Sequence, residues 1–148
     1  MTRPLRIHAT AVAIDGHAVL LRGAPGAGKS DLALRLIDAG ARLVVDDRSE
    51  LVRRGDAIIV RPPRTIGGLI EVRGIGIMRI EGLAEAPVAL IADLVAPKDV
   101  ERLPERCYET ILGVRLPLIA LAPFEASAAV KLRLLVRAFT TAGLPAML

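Results

Sequence analysis

A chain of 148 residues has room for one domain, residues 1–148, because a core of this size already buries roughly two-thirds of the surface its unfolded form exposes. More than half the residues are apolar (53%, mean hydropathy +0.49), yet no stretch of about 20 residues is free of charge or proline, which excludes a membrane-spanning helix. The net charge of +4 comes from 20 basic residues, 17 of them arginine, against 16 carboxylates; it favours anionic partners, but scattered arginines and three aromatics, Tyr108, Phe124 and Phe139, form no stacking platform for nucleic acid.

Met1 to His8 carries two arginines but runs into a short apolar stretch, Ala9 to Ile14, that Asp15 interrupts. No secretory signal is expected, and the cytoplasm is the expected compartment. Cys107 stands alone, so an internal disulfide or a cysteine-based metal cluster is excluded; a small packing residue is the expectation for it.

Ile7 to Ile14 and His17 to Arg22 are rich in Val, Ile and Leu, and Asp15-Gly16 between them has the length of a two-residue hairpin turn. Ser30 to Ile37 then shows apolar residues at helical spacing, with Ala39-Gly40 as a stop. Arg42 to Val45 reads as a buried strand ending in Asp46-Asp47, and Leu51 to Val60 as a hairpin turning at Gly55-Asp56. Leu69 to Ile80 is strand-like but punctuated by Gly74 and Gly76, and Val88 to Val95 is a further apolar strand. Pro97 to Arg106, charged and with two prolines, is expected as a surface loop with a turn of helix. Leu116 to Leu121 is a last strand and Phe124 to Ala142 a closing amphipathic helix. With strand hairpins and only two helices, the pattern predicts an α/β domain with a mixed sheet.

Gly23-Ala24-Pro25-Gly26-Ala27-Gly28-Lys29-Ser30 satisfies the phosphate-loop pattern in full, between a predicted strand and a predicted helix. Glycines let successive N–H groups face inward, and the helix starting near Lys29 aims its positive end at the same point, so an anion is the expected occupant. Lys29 would neutralise the β- and γ-phosphates of ATP, and the Ser30 hydroxyl would ligate Mg²⁺. Asp46-Asp47 follows an apolar strand and is expected at its carboxyl end, where sites of open α/β sheets gather. One carboxylate could take a proton from an attacking hydroxyl and the other support the metal; an acidic turn is the plainer alternative.

Four separated features resemble the catalytic domain of the HPr kinase/phosphorylase family. They are His8 ahead of a hairpin, the Gly23 to Ser30 loop, Val45-Asp46-Asp47-Arg48, and Glu71-Val72-Arg73-Gly74-Ile75-Gly76-Ile77, which is similar to that family's signature. The resemblance runs from about His8 to Ala138 and implies a phosphoenolpyruvate carboxykinase-like phosphate-loop fold. It further implies that Asp47 accepts the proton of a serine on the phosphocarrier protein HPr, that Lys29 steadies the transferring phosphate, and that Ser30 and Glu71 hold Mg²⁺; Asp46 is then the carboxylate left to support the metal. His8 would lie near the catalytic centre. Arg73 would orient Glu71 or the phosphates, and Arg102 would serve chiefly the dephosphorylating direction. A hexamer is the assembly the family suggests, and the short start before His8 implies a form without the family's amino-terminal domain. Pro123-Phe124-Glu125-Ala126-Ser127 stands where the family has a basic, glycine-containing segment associated with dephosphorylation, which argues against the reverse reaction. A phosphate-loop kinase or hydrolase on a small molecule, or a nucleotide-sensing module without turnover, are the rival readings.

Overall fold

The computed structural model describes residues 3–63 and 68–140. Within them the chain runs β1 (Leu5–His8), β2 (Thr10–Ile14), β3 (His17–Arg22), α1 (Lys29–Asp38), β4 (Arg42–Val45), β5 (Arg48–Arg54) and β6 (Ala57–Arg61). After the undescribed residues come β7 (Leu69–Val72), β8 (Gly76–Arg79), β9 (Ala86–Leu94), a single 3-10 turn (Pro97–Asp99), β10 (Cys107–Ile111), β11 (Val114–Leu121) and α2 (Ala128–Thr140).

The main sheet has the order β1-β5-β6-β9-β3-β2-β4 and is mixed: β9 runs parallel to β3, while β2 pairs antiparallel with both β3 and β4. On its other side β9 pairs with β6 near its start, at Ala86 and Pro87, and with β11 near its end, from Ile91 to Leu94, so the sheet forks around this strand. β7 and β8 form a separate two-stranded ribbon.

Side-chain alternation sorts the core into two layers. Val12, Ile14, Val19, Leu21, Leu43 and Leu90 meet Leu32 and Leu36 of α1 and Leu132 and Val136 of α2. The alternate residues Ala11, Ala13, Ala18, Leu20, Val44 and Ile91 meet Leu51, Ile58, Val60, Ile111 and Leu116 from β5, β6 and the β10–β11 hairpin. β2 is covered on both faces and so is buried at every position, and after Thr10 it reads as an apolar run.

Four sequence expectations change. Ile7 to Ile14 is two strands, because the chain leaves the ladder with β5 after His8 and joins that with β3 and β4 at Thr10. Ala9 is the corner; it is apolar and fully buried, so nothing at the position itself marks the break. The second is β10, read as no strand in the sequence because Cys107-Tyr108-Glu109-Thr110 is half polar; the residues are largely exposed and held by β11 through a turn at Leu112-Gly113. Cys107 is exposed, not a packing residue. The closing helix starts at Ala128, four residues after Phe124.

Candidate active site

The phosphate loop leaves β3 at Gly23 and enters α1 at Lys29. Ala27 N–H donates to the Ala24 carbonyl at 2.9 Å, closing a turn with Pro25 and Gly26 at its centre; Gly26 has φ +82°, the positive value that a type II turn requires at its third position. Gly28 is the N-cap at φ +101°, and no side chain caps the helix, so the first amides of α1 remain available to a ligand. Lys29 is buried and lies back across the loop, Nζ donating to the Gly23 carbonyl at 2.7 Å and Ala24 at 3.4 Å.

Asp46 is the hub beside this loop. Its Oδ1 accepts from Ser30 Oγ at 2.8 Å and Thr10 Oγ1 at 2.9 Å, and its Oδ2 accepts from Glu71 N–H at 3.3 Å. Three segments far apart in sequence therefore converge on one carboxylate. They meet there because Asp46-Asp47 joins β4, which pairs with β2, to β5, which pairs with β1. The corner at Ala9 makes the same change of ladder, and Ser49 Oγ donates to the Ala9 carbonyl at 2.9 Å across the two corners.

Asp47 sits in the second corner at φ +65°, with Arg48 N–H donating to the Asp46 carbonyl at 2.8 Å. A tight turn of this kind with positive φ on a non-glycine residue is a strained conformation. It is held by Thr10 Oγ1, which accepts from Asp47 N–H at 3.0 Å. The side chain of Asp47 is exposed and accepts no hydrogen bond from the described residues.

His8 closes β1 opposite Arg48, one residue from Asp47, and is exposed. Glu71 lies on β7 opposite Ile77, its carboxylate exposed. Arg73 occupies the exposed turn from β7 to β8, closed by Ile75 N–H on the Val72 carbonyl at 3.0 Å. Arg102 is exposed on the segment between the 3-10 turn and β10, and no hydrogen bond or ion pair among the described residues joins it to the loop or to Asp46.

Among the described residues no three His, Cys, Asp or Glu side chains gather as a metal cluster. The donors around Asp46 nevertheless suit Mg²⁺, which takes one or two carboxylates and fills its remaining positions with water and phosphate oxygens. A serine hydroxyl that gives its proton to Asp46 keeps its oxygen lone pairs for a cation.

The model for the HPr serine kinase C-terminal domain matches residues 1–132. The chain belongs to this family. The HPr(Ser) kinase/phosphatase from Coxiella burnetii, a solved structure, superposes with a TM-score of 0.76 at 30% identity, over 90% of this chain and 94% of that one. The HPr kinase/phosphorylase of Leptothrix cholodnii is 38% identical over 128 residues, which are 78% of this chain and 39% of that protein. That of Exiguobacterium sibiricum is 45% identical over 75 residues, half of this chain and 24% of its own length. The chain thus spans well under half the length of the curated HPr kinase/phosphorylases it matches.

Within this domain, sequence reasoning passed over several residues. Thr10 is a polar residue inside a fully buried strand, the one signal that marked it. Arg22, directly before the loop, is pinned by Asp93 through Nε at 2.7 Å and by Glu109 through Nη1 at 2.6 Å. The hydrogen bonds it donates to Glu109 and then Asp93 hold its guanidinium more firmly charged than usual, and the bond accepted from Arg22 holds the Glu109 carboxyl below its ordinary range. No motif links three strands so far apart in sequence, so only the fold reveals the cluster.

Proposed function

We propose that this domain is an ATP-dependent, Mg²⁺-requiring kinase that phosphorylates a serine of HPr. The observation that carries the reading is the convergence of Ser30, Glu71 and Asp46 beside the phosphate loop, in a chain of the HPr serine kinase family. The loop amides and Lys29 bind and orient the triphosphate, which lowers the barrier by positioning and charge neutralisation. Mg²⁺, held by Ser30 and Glu71 with Asp46 in support, would supply charge neutralisation on the phosphate oxygens. Asp47 accepts the proton of the serine hydroxyl as its oxygen bonds to the γ-phosphorus and ADP leaves. Its exposed carboxylate at a strained corner suits a group that must meet a protein substrate from outside. His8 stands beside it on the ladder, Arg73 is the nearest arginine in sequence to Glu71, and Arg102 serves the reverse direction.

The apolar, acidic Pro123 to Ser127 segment favours transfer to serine over phosphorolysis. No helix among the described residues is long and apolar enough to cross a membrane, and a cytoplasmic enzyme assembled as a hexamer fits the resemblance. Incubation with HPr, ATP and Mg²⁺ followed by mapping of the modified residue tests the proposal: phosphoserine on HPr is expected. Asp47→Asn should abolish transfer while leaving ATP binding largely intact, and transfer by Asp47→Asn at the normal rate would remove Asp47 as the base.

A further inference from the structure

An apolar cavity of about 500 Å³ opens against the phosphate loop, walled by Ala27 from the loop, Leu94, Ala96 and Pro97 from the end of β9 and beyond, and Ala122 and Phe124 from the segment before α2. Phe124 is one of three aromatic residues in the chain and is 69% exposed, although an apolar ring in so apolar a protein has ample core to enter. Its ring lies against Gly28, where a Cβ would come within 2.8 Å of Cζ. The wall is anchored: Arg35 of α1 donates to the carbonyls of Pro123 and, at 3.3 Å, of Glu125, and Asp31 accepts from Arg35 Nε at 3.1 Å. The helix that begins at the phosphate loop therefore also fixes the far side of the cavity.

We infer that this cavity binds the purine base of the nucleotide, with Phe124 as its stacking face, and that it discriminates poorly between purines. The inference rests on the reading that the loop holds nucleotide phosphates. Contiguity with Ala27 argues for the base, since a ligand held by the loop amides presents its non-phosphate end to the neighbouring surface. The volume suits a nucleoside, and an apolar lining with an aromatic plane suits a flat heterocycle. Weak discrimination follows because Glu125 is the one charged residue in the lining, and its carboxylate already accepts from Lys131 Nζ at 3.1 Å. Stacking is tolerant of base identity because every base has a π-face. This also accounts for an apolar segment at a position where phosphate binding would demand positive charge.

Titration calorimetry of the full chain with Mg²⁺ and ATP, GTP or methyl triphosphate tests it, the last carrying the same phosphates without a base. ATP and GTP should bind within a few-fold of each other and each about tenfold or more tighter than methyl triphosphate, given the usual worth of base stacking. Phe124→Ala, at an exposed position, and Ala96→Phe, which fills the cavity, should each close that gap and leave methyl triphosphate binding unchanged. Equal wild-type binding of ATP and methyl triphosphate overturns the base site alone, as does a Phe124→Ala variant that keeps the gap or weakens both ligands equally. A hundredfold preference between ATP and GTP overturns the tolerance. If the chain binds neither ATP nor methyl triphosphate, the phosphate-loop reading falls together with the base site.

Discussion

Ser30 Oγ donates to Asp46 Oδ1 at 2.8 Å, and this bond ties the first turn of the phosphate-loop helix to the corner where the chain changes ladders. A displacement of either element would be felt at the other. The corner in turn carries Asp47, so loop position and the orientation of the proposed base are mechanically joined.

Thr10 should therefore matter to both fold and activity. Thr10→Val keeps the shape but removes one donor to Asp46 and leaves the Asp47 N–H without its acceptor, which costs about 1–3 kcal/mol. Chemical denaturation should register that loss, and phosphoryl transfer should fall with it, whereas Thr10→Ser should restore most of both.

Asp47 tests whether strain is held at the site for function. At φ +65° a non-glycine residue costs roughly 1–2 kcal/mol, so Asp47→Gly should leave stability equal or raise it by up to about 1 kcal/mol while abolishing transfer. Asp47→Val, β-branched and intolerant of that region, should lower the melting temperature. A destabilised Asp47→Gly protein would mean that the carboxylate contributes to the fold.

Lys29→Met keeps the buried aliphatic stem and removes the ammonium. Affinity for ATP should drop about tenfold or more, because a charge contact to phosphate is lost, while the fold survives since water can reach the loop. Calorimetry beside a thermal melt separates the two effects.

Glu109 predicts an acid-sensitive contribution. Its carboxyl is held below the ordinary 4.5 by the Arg22 hydrogen bond, so the folded state favours the ionised form. That stabilisation is present above the unfolded value and disappears as the pH falls through the folded one. The melting-temperature gap between wild type and Glu109→Gln should be steady from pH 7 to about 5 and shrink below 4.5; a gap that widens in acid would refute the assignment. The side chain is 35% exposed, so screening keeps the effect small.

Much of the molecule could be read along the chain, because the signals concerned are local. The turn at Pro25-Gly26, the helix from Lys29, the Gly55-Asp56 hairpin and the apolar runs of β4 and β9 depend on residues a few positions apart. The same holds for the loop motif, whose amides come from consecutive residues. The break at Ala9 was not legible, since Ala9 is itself apolar and buried and no turn residue marks the change of ladder, and neither was β10, whose strand conformation comes from its partner β11.

By itself the sequence determined the mixed α/β domain, the phosphate loop and the set of acids from which a metal site could be drawn. Only the tertiary structure decided that Asp46 is the carboxylate joining Thr10, Ser30 and Glu71, that Asp47 is left exposed on a strained turn, and that Arg22 is clamped at the base of the loop. The physical reason is that hydrogen bonds and ion pairs between distant segments depend on strand order and register. Those are set by burying two apolar layers at once, and no window of neighbouring residues contains that information.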